Sequence, residues 1–65
     1  MKNSVFWYKN LKRGMKFRIK YGKKRIDYSY IRTYKGKYVF AIRCENHKIY
    51  EIINVNKITK GITVQ

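Results

Sequence analysis

The sequence predicts an all-β domain: five short strands bent into a small barrel. Three observations carry this. From Met15 onward, apolar residues recur with a period of two, with Met15, Phe17, Ile19 and Tyr21 set against Lys16, Arg18 and Lys20. Turn-forming stretches, "GKK", "KGK" and "ENHK", break the chain at intervals suited to short strands. The segments between them are crowded with β-branched and aromatic residues, and the chain has no proline. Closure into a barrel suits so small a sheet because it removes the exposed edges.

The elements follow in order. Asn3 or Ser4 can cap a short helical turn reaching Leu11, with Phe6, Trp7 and Leu11 at near-helical spacing. "LKRG" then ends it, with cations in the last turn and Gly14 in the stop position. The stretch "SVFWY" suits a strand as well. Strand one runs from Met15 to Tyr21, and the turn "GKK" leads into strand two, Arg25 to Tyr34. Ile26, Tyr28, Tyr30 and Tyr34 share one face of it, and strict alternation puts Arg32 there too unless a bend intervenes. Strand three, Tyr38 to Cys44, is apolar on both faces at its centre and is expected to be the most buried. Strand four spans Ile49 to Val55. Strand five spans Ile58 to Val64, with Ile58, Ile62 and Val64 facing in and Gly61 marking a bulge or bend. Residues 1–65 form a single domain with no repeat, linker or low-complexity segment. A chain this short buries only about 60% of the surface its unfolded form exposes, so the core is small.

Charge narrows the function. Seventeen Lys and Arg face three acids, Asp27, Glu45 and Glu51, for a formal net charge of +14. The chain is nevertheless 45% hydrophobic and 17% aromatic, which excludes a disordered basic tail. Charge this one-sided repels itself and draws polyanions at long range. Nucleic acid, DNA or RNA, is the leading partner, and an acidic protein surface is the second. A membrane role is not expected, since there is neither a long amphipathic basic helix nor an apolar run of spanning length. One cysteine cannot form an internal disulfide, and the N-terminus does not read as a secretory leader, so a cytoplasmic protein is expected.

Catalysis finds little to work with. The carboxylates lie on different predicted strands and turns; Glu45 and Glu51 flank one hairpin, but ion pairing with the surrounding cations is the simpler use of them. His47 stands in a turn with no second metal ligand beside it. Cys44 alternates with the core positions Phe40 and Ile42 and reads as a small buried apolar residue. No phosphate-cradling glycine loop or nucleophile motif is present. Neither an enzyme nor a cofactor is expected.

Binding is better served. Lys16, Arg18 and Lys20 project from the polar face of strand one, about 6.6–7 Å apart by strand geometry. Lys23, Lys24 and Arg25 extend this stripe around the turn, and Arg32, Lys35 and Lys37 add cations along the second hairpin. Like charges facing each other across a sheet are destabilising, a cost that a phosphate backbone offsets. Seven tyrosines, Tyr28, Tyr30 and Tyr34 of one face among them, are interleaved with these cations, a combination in which bases can stack on rings while Lys and Arg track the backbone. Filling the barrel is nevertheless the expected use of most of the tyrosines, with each hydroxyl finding water or a partner. Trp7 and Tyr8 read as core cover.

The region from Met15 to Val64 resembles two families of small barrels. In the WYL domain of bacterial transcription regulators and defence proteins, an I-x-Y strand leads to an R-x-x-x-P-Y segment, then the W-Y-L strand and an aromatic-x-L-x-x-I pattern. Ile19 and Tyr21 match the first element; Arg25 to Tyr30 matches the second without its proline. Tyr38 matches the middle of the triad between Lys37 and Val39, and Tyr50, Ile52 and Ile58 match the last element. The same region is similar to the Sm-like RNA-binding proteins, with Gly22 in the first turn but without the second glycine and the aromatic-Asp pair. Either resemblance implies an SH3-like small barrel and nucleic-acid-related binding without enzymatic activity. The sequence thus leads to the expectation of a small regulator that contacts the DNA or RNA phosphate backbone with little sequence specificity. The second reading is a phage- or plasmid-type interaction module whose basic face docks on an acidic host protein and modulates it.

Overall fold

The computed structural model describes residues 7–58 and 60–65. Its strands are β1 Lys16–Tyr21, β2 Lys24–Tyr34, β3 Tyr38–Arg43, β4 Tyr50–Asn54 and β5 Ile62–Val64. They form one antiparallel sheet in the order β4-β3-β2-β1-β5. The all-β class expected from the period-two pattern is therefore what the chain adopts. The radius of gyration is 10.7 Å, the value that about 2.2·N^0.38 Å gives for a compact chain of this length.

The sheet is not closed into a barrel. β4 and β5 stand at opposite edges, and no ladder joins them among the described residues. The reason lies in β5, which has three residues and pairs only with Phe17, Arg18 and Ile19 of β1. Gly61, at φ +77°, bends the chain just before it, so among the described residues of the stretch expected as strand only Ile62–Val64 is strand, with Lys60 and Gly61 in a bend. The expected cap Asn3 or Ser4, and Phe6, lie outside the described residues. From Trp7 to Asn10 the chain is a turn, with the Leu11 N–H donating to the Tyr8 carbonyl at 3.2 Å. A helix of this length gains too few bonds to offset its nucleation. Tertiary bonds hold the segment instead: the Trp7 indole N–H donates to the Ile58 carbonyl (3.2 Å) and the Tyr8 hydroxyl to the Gly36 carbonyl (2.7 Å).

The inner face of the sheet and this segment enclose the core. Phe17, Ile19, Tyr28, Val39 and Ala41 are fully buried, with Tyr30, Ile53, Val55, Ile62, Trp7, Tyr8 and Leu11 around them. Phe17 is stacked on Tyr28 (centroids 5.2 Å apart) and meets Trp7 at 5.3 Å. Each such side chain contributes about 1.5–3 kcal/mol by leaving water. Met15, Ile26 and Ile58 pack on the margin of this cluster. Tyr21 and Val64, expected inside, are exposed at strand ends.

Two departures from simple alternation shape the other face. On β3 the inward residues are Val39 and Ala41, so Phe40 and Ile42, expected in the core, lie on the outer face, and Cys44 is only half-buried. Where a strand is apolar on both faces, its own pattern cannot say which side is buried; pairing with Tyr30 and Thr33 decides it. On β2 the register with β3 shifts between Tyr30 and Arg32, leaving Ile31 as a bulge. An extra residue reverses the side-chain parity beyond it. Tyr30 and Thr33, three apart, therefore both point inward, and their hydroxyls are hydrogen-bonded across the bulge. Tyr34 consequently leaves the face of Tyr28 and Tyr30 and stands with Arg32 on the outside.

Candidate nucleic-acid interface

The first hairpin turns on Gly22 and Lys23, with Gly22 at φ +60°, a left-handed conformation glycine takes at no steric cost. The turn is thus shorter than "GKK", and Lys24 begins β2 opposite Tyr21. The register sets Lys16 opposite Ser29, Arg18 opposite Asp27 and Lys20 opposite Arg25, all on the outer face. Arg18 Nε donates to Asp27 Oδ1 at 2.6 Å. This bond, with the Coulombic attraction, raises the Arg18 pKa and lowers that of Asp27. The basic stripe is therefore interrupted by a neutralised pair. Lys20, Lys23, Lys24 and Arg25 are all exposed around the hairpin tip, with Lys24, opposite Tyr21, on the other face from Lys20 and Arg25, and Lys16 stands apart beyond Arg18.

The second group lies at the far end of β2. Lys35 and Lys37 are exposed in the turn to β3, where the Lys37 N–H donates to the Tyr34 carbonyl at 3.0 Å. Lys35 has φ +51°, a left-handed conformation that costs a non-glycine residue about 1–2 kcal/mol. From the tip to this turn, β2 runs through eleven residues, about 35 Å of chain at the rise of a strand.

Between the two groups the outer face is aromatic. Arg32 pairs with Phe40, and Phe40 with Ile52; Tyr34 pairs with Tyr38. The Arg32 guanidinium lies 4.5 Å from the Tyr34 ring centre, and the Lys37 ammonium 5.3 Å from that of Tyr38. Phe40 stacks on Tyr50 with centroids 5.4 Å apart and planes 16° apart, and Tyr34 tilts toward Phe40 at 6.0 Å. Tyr50 is 54% exposed and Ile52 64%. Of these, Arg32 and Lys37 stand out from sequence as binding residues, and Tyr34 only as one of a tyrosine trio with Tyr28 and Tyr30. The rings were hidden by the bulge and by the two-sided apolarity of β3.

Of the two uses open to Tyr28 and Tyr30, stacking platform or core, the structure gives them the core. Tyr28 is fully buried, so no base can reach its ring. Its hydroxyl donates to Glu51 Oε1 at 3.0 Å and lies 3.3 Å from the Tyr21 hydroxyl. Burial, reinforced by these bonds, pushes its pKa well above the ordinary tyrosine value. Glu51 is also held by Arg43, which lies 3.9 Å from Glu45 as well. Glu45 and Glu51 thus share one arginine. Among the described residues the acidic side chains pair only with Arg18 and Arg43. His47 is exposed in its turn, and no three of His, Cys, Asp and Glu come together among the described residues. No described helix is long and apolar enough to cross a membrane.

No family model matches the chain, and no curated protein or solved structure matches it either.

Proposed function

We propose that this chain is a small basic nucleic-acid-binding protein, a regulator that holds DNA or RNA through its phosphates with little sequence preference. One observation carries the reading: the three acids are consumed by Arg18 and Arg43, while Lys20, Lys23, Lys24 and Arg25 crowd one exposed hairpin tip. Lys20 faces Arg25 directly, a repulsive pair that a phosphate between them relieves. Arg32, Lys35 and Lys37 offer a second contact point, and Lys16 a third.

Fluorescence anisotropy with a labelled duplex across a salt series tests this. Neutralising about five phosphates gives a slope of log K against log salt of roughly −4 to −5. Reversing Lys23 and Lys24 together to Glu should weaken all sequences alike and flatten that slope by about 0.9 for each phosphate no longer neutralised. A slope near zero refutes the proposal. A second reading, docking on an acidic protein by strand addition, has one observation in its favour. The register turns the backbone groups of Tyr50 and Ile52 away from β3 at the sheet edge, and no hydrogen bond to them is seen among the described residues.

A further inference from the structure

The outer face of β2–β4 poses a question that phosphate binding by the hairpin tip does not answer. Duplex contacts through the backbone have no use for an exposed row of rings. Yet the Ile31 bulge turns Tyr34 and Arg32 outward, β3 places Phe40 there at the expense of the core, and Tyr50 ends the row at the sheet edge. Phe40 covers one face of the Tyr50 ring at 5.4 Å, nearly parallel, and over half of Tyr50 remains open to solvent. A flat aromatic group laid on Tyr50 continues an existing stack.

What covers this face must suit the charge around it. Arg32 and Lys37 lean on the neighbouring rings, and the chain carries +14. A second copy brings the same positive charge to the contact and is repelled. A ligand that is both polyanionic and rich in flat unpaired rings is attracted on both counts. Resting on the nucleic-acid reading above, we infer that the protein selects single-stranded over duplex nucleic acid, with one or more unpaired bases stacking on Tyr50 beside Phe40 and the adjoining phosphates held by Arg32 and Lys37. Bases in a duplex are stacked on each other and cannot reach the platform; unpaired bases stack on aromatic rings in a sequence-tolerant way.

The test is anisotropy titration of the full chain with three labelled probes: an oligothymidylate of about 12 nucleotides, within the span single-strand binders cover, an abasic strand of equal length, and a duplex. Wild type should bind the oligothymidylate more tightly than the abasic strand. Tyr50→Ala should weaken oligothymidylate binding by about 5- to 140-fold, the loss of one stacked base, and leave the abasic strand unchanged. Tyr50→Phe, which keeps the ring, should retain the affinity. Tyr50 lies on the exposed face of an edge strand, and Trp7 emission reports that each variant is folded. Equal affinity for all three probes, or an unchanged Tyr50→Ala, overturns the platform while salt-dependent binding leaves the phosphate reading standing. Failure of all three probes to bind overturns both. Two other results also overturn it: polyglutamate binding that Tyr50→Ala abolishes while oligothymidylate binding persists gives the face to an acidic protein, and a dimer that Tyr50→Ala dissolves gives it to a second copy.

Discussion

Replacing Tyr28 by Phe removes one hydroxyl oxygen and leaves the buried ring in place. The oxygen donates to Glu51 at 3.0 Å and meets the Tyr21 hydroxyl at 3.3 Å. Without it, the Glu51 carboxylate keeps Arg43 but loses its second protein donor. A hydrogen bond to a charged group contributes about 1.5–3 kcal/mol net, and no cavity is opened because the ring remains. The expected loss at neutral pH is therefore about 1.5–3 kcal/mol. For a domain of this size that lowers Tm by about 6–24 °C, out of a total stability on the order of 3–10 kcal/mol. Thermal and urea unfolding followed by Trp7 emission measures it. The pH dependence gives a second readout. Burial holds the folded Tyr28 pKa far above its unfolded value near 10. Above that pH the unfolded chain releases the proton and the folded chain keeps it, so the wild type loses about 1.4 kcal/mol per pH unit from this group. Tyr28→Phe lacks this loss, and the gap between the two proteins should narrow as pH rises past 10. A double-mutant cycle with Glu51→Gln should show coupling of about 0.5–3 kcal/mol. A destabilisation under about 0.5 kcal/mol, within the range of ordinary surface substitutions, or a gap that stays constant into alkali, would refute the reasoning. Nucleic-acid affinity of the folded variant should be unchanged, because this ring is core.

Other consequences follow from the geometry. Gly61→Ala forces a side chain into a left-handed conformation at φ +77° and brings its Cβ to 3.2 Å from the Lys20 carbonyl oxygen. It should lower the urea midpoint by more than Gly22→Ala, which meets open space and carries only the left-handed cost of about 1–2 kcal/mol. The Arg18–Asp27 pair depresses the Asp27 pKa below 3.8. Its contribution is complete above the unfolded value and lost as pH falls through the lower folded one. Asp27→Asn should accordingly flatten the acid limb of a plot of Tm against pH.

Much of the architecture is legible in the residues. Alternation in "KFRIKY" places Phe17 and Ile19 on one face and Lys16, Arg18 and Lys20 on the other, and the structure keeps that division. Glycines at positions 22 and 36 locate the hairpin turns because each adopts a positive φ there. The strand boundaries shift by a residue or so except at β5, where a bend at Lys60 and Gly61 leaves Ile62–Val64 as the strand. The candidate site is less legible. Its cations are visible as composition, but the interruption by Asp27 depends on the register across the hairpin. The aromatic half is hidden, because "YVFAIR" and "YIRTY" are apolar or mixed on both faces and one bulge reverses the second.

Composition and periodicity by themselves determined that this chain is a small, strongly basic, antiparallel β protein with a Phe17–Ile19 stripe inside. These follow from local rules: side-chain period, turn chemistry and the sum of charges. Only the tertiary structure decided that the sheet stays open, that Tyr28 and Tyr30 are core while Tyr34, Phe40 and Tyr50 line the outside, and that the acids are paired with Arg18 and Arg43. Each of these depends on how one strand sits against another. A single unpaired residue at Ile31 exchanges the two faces of everything beyond it, and no pattern within a strand records which residue its neighbour will leave out.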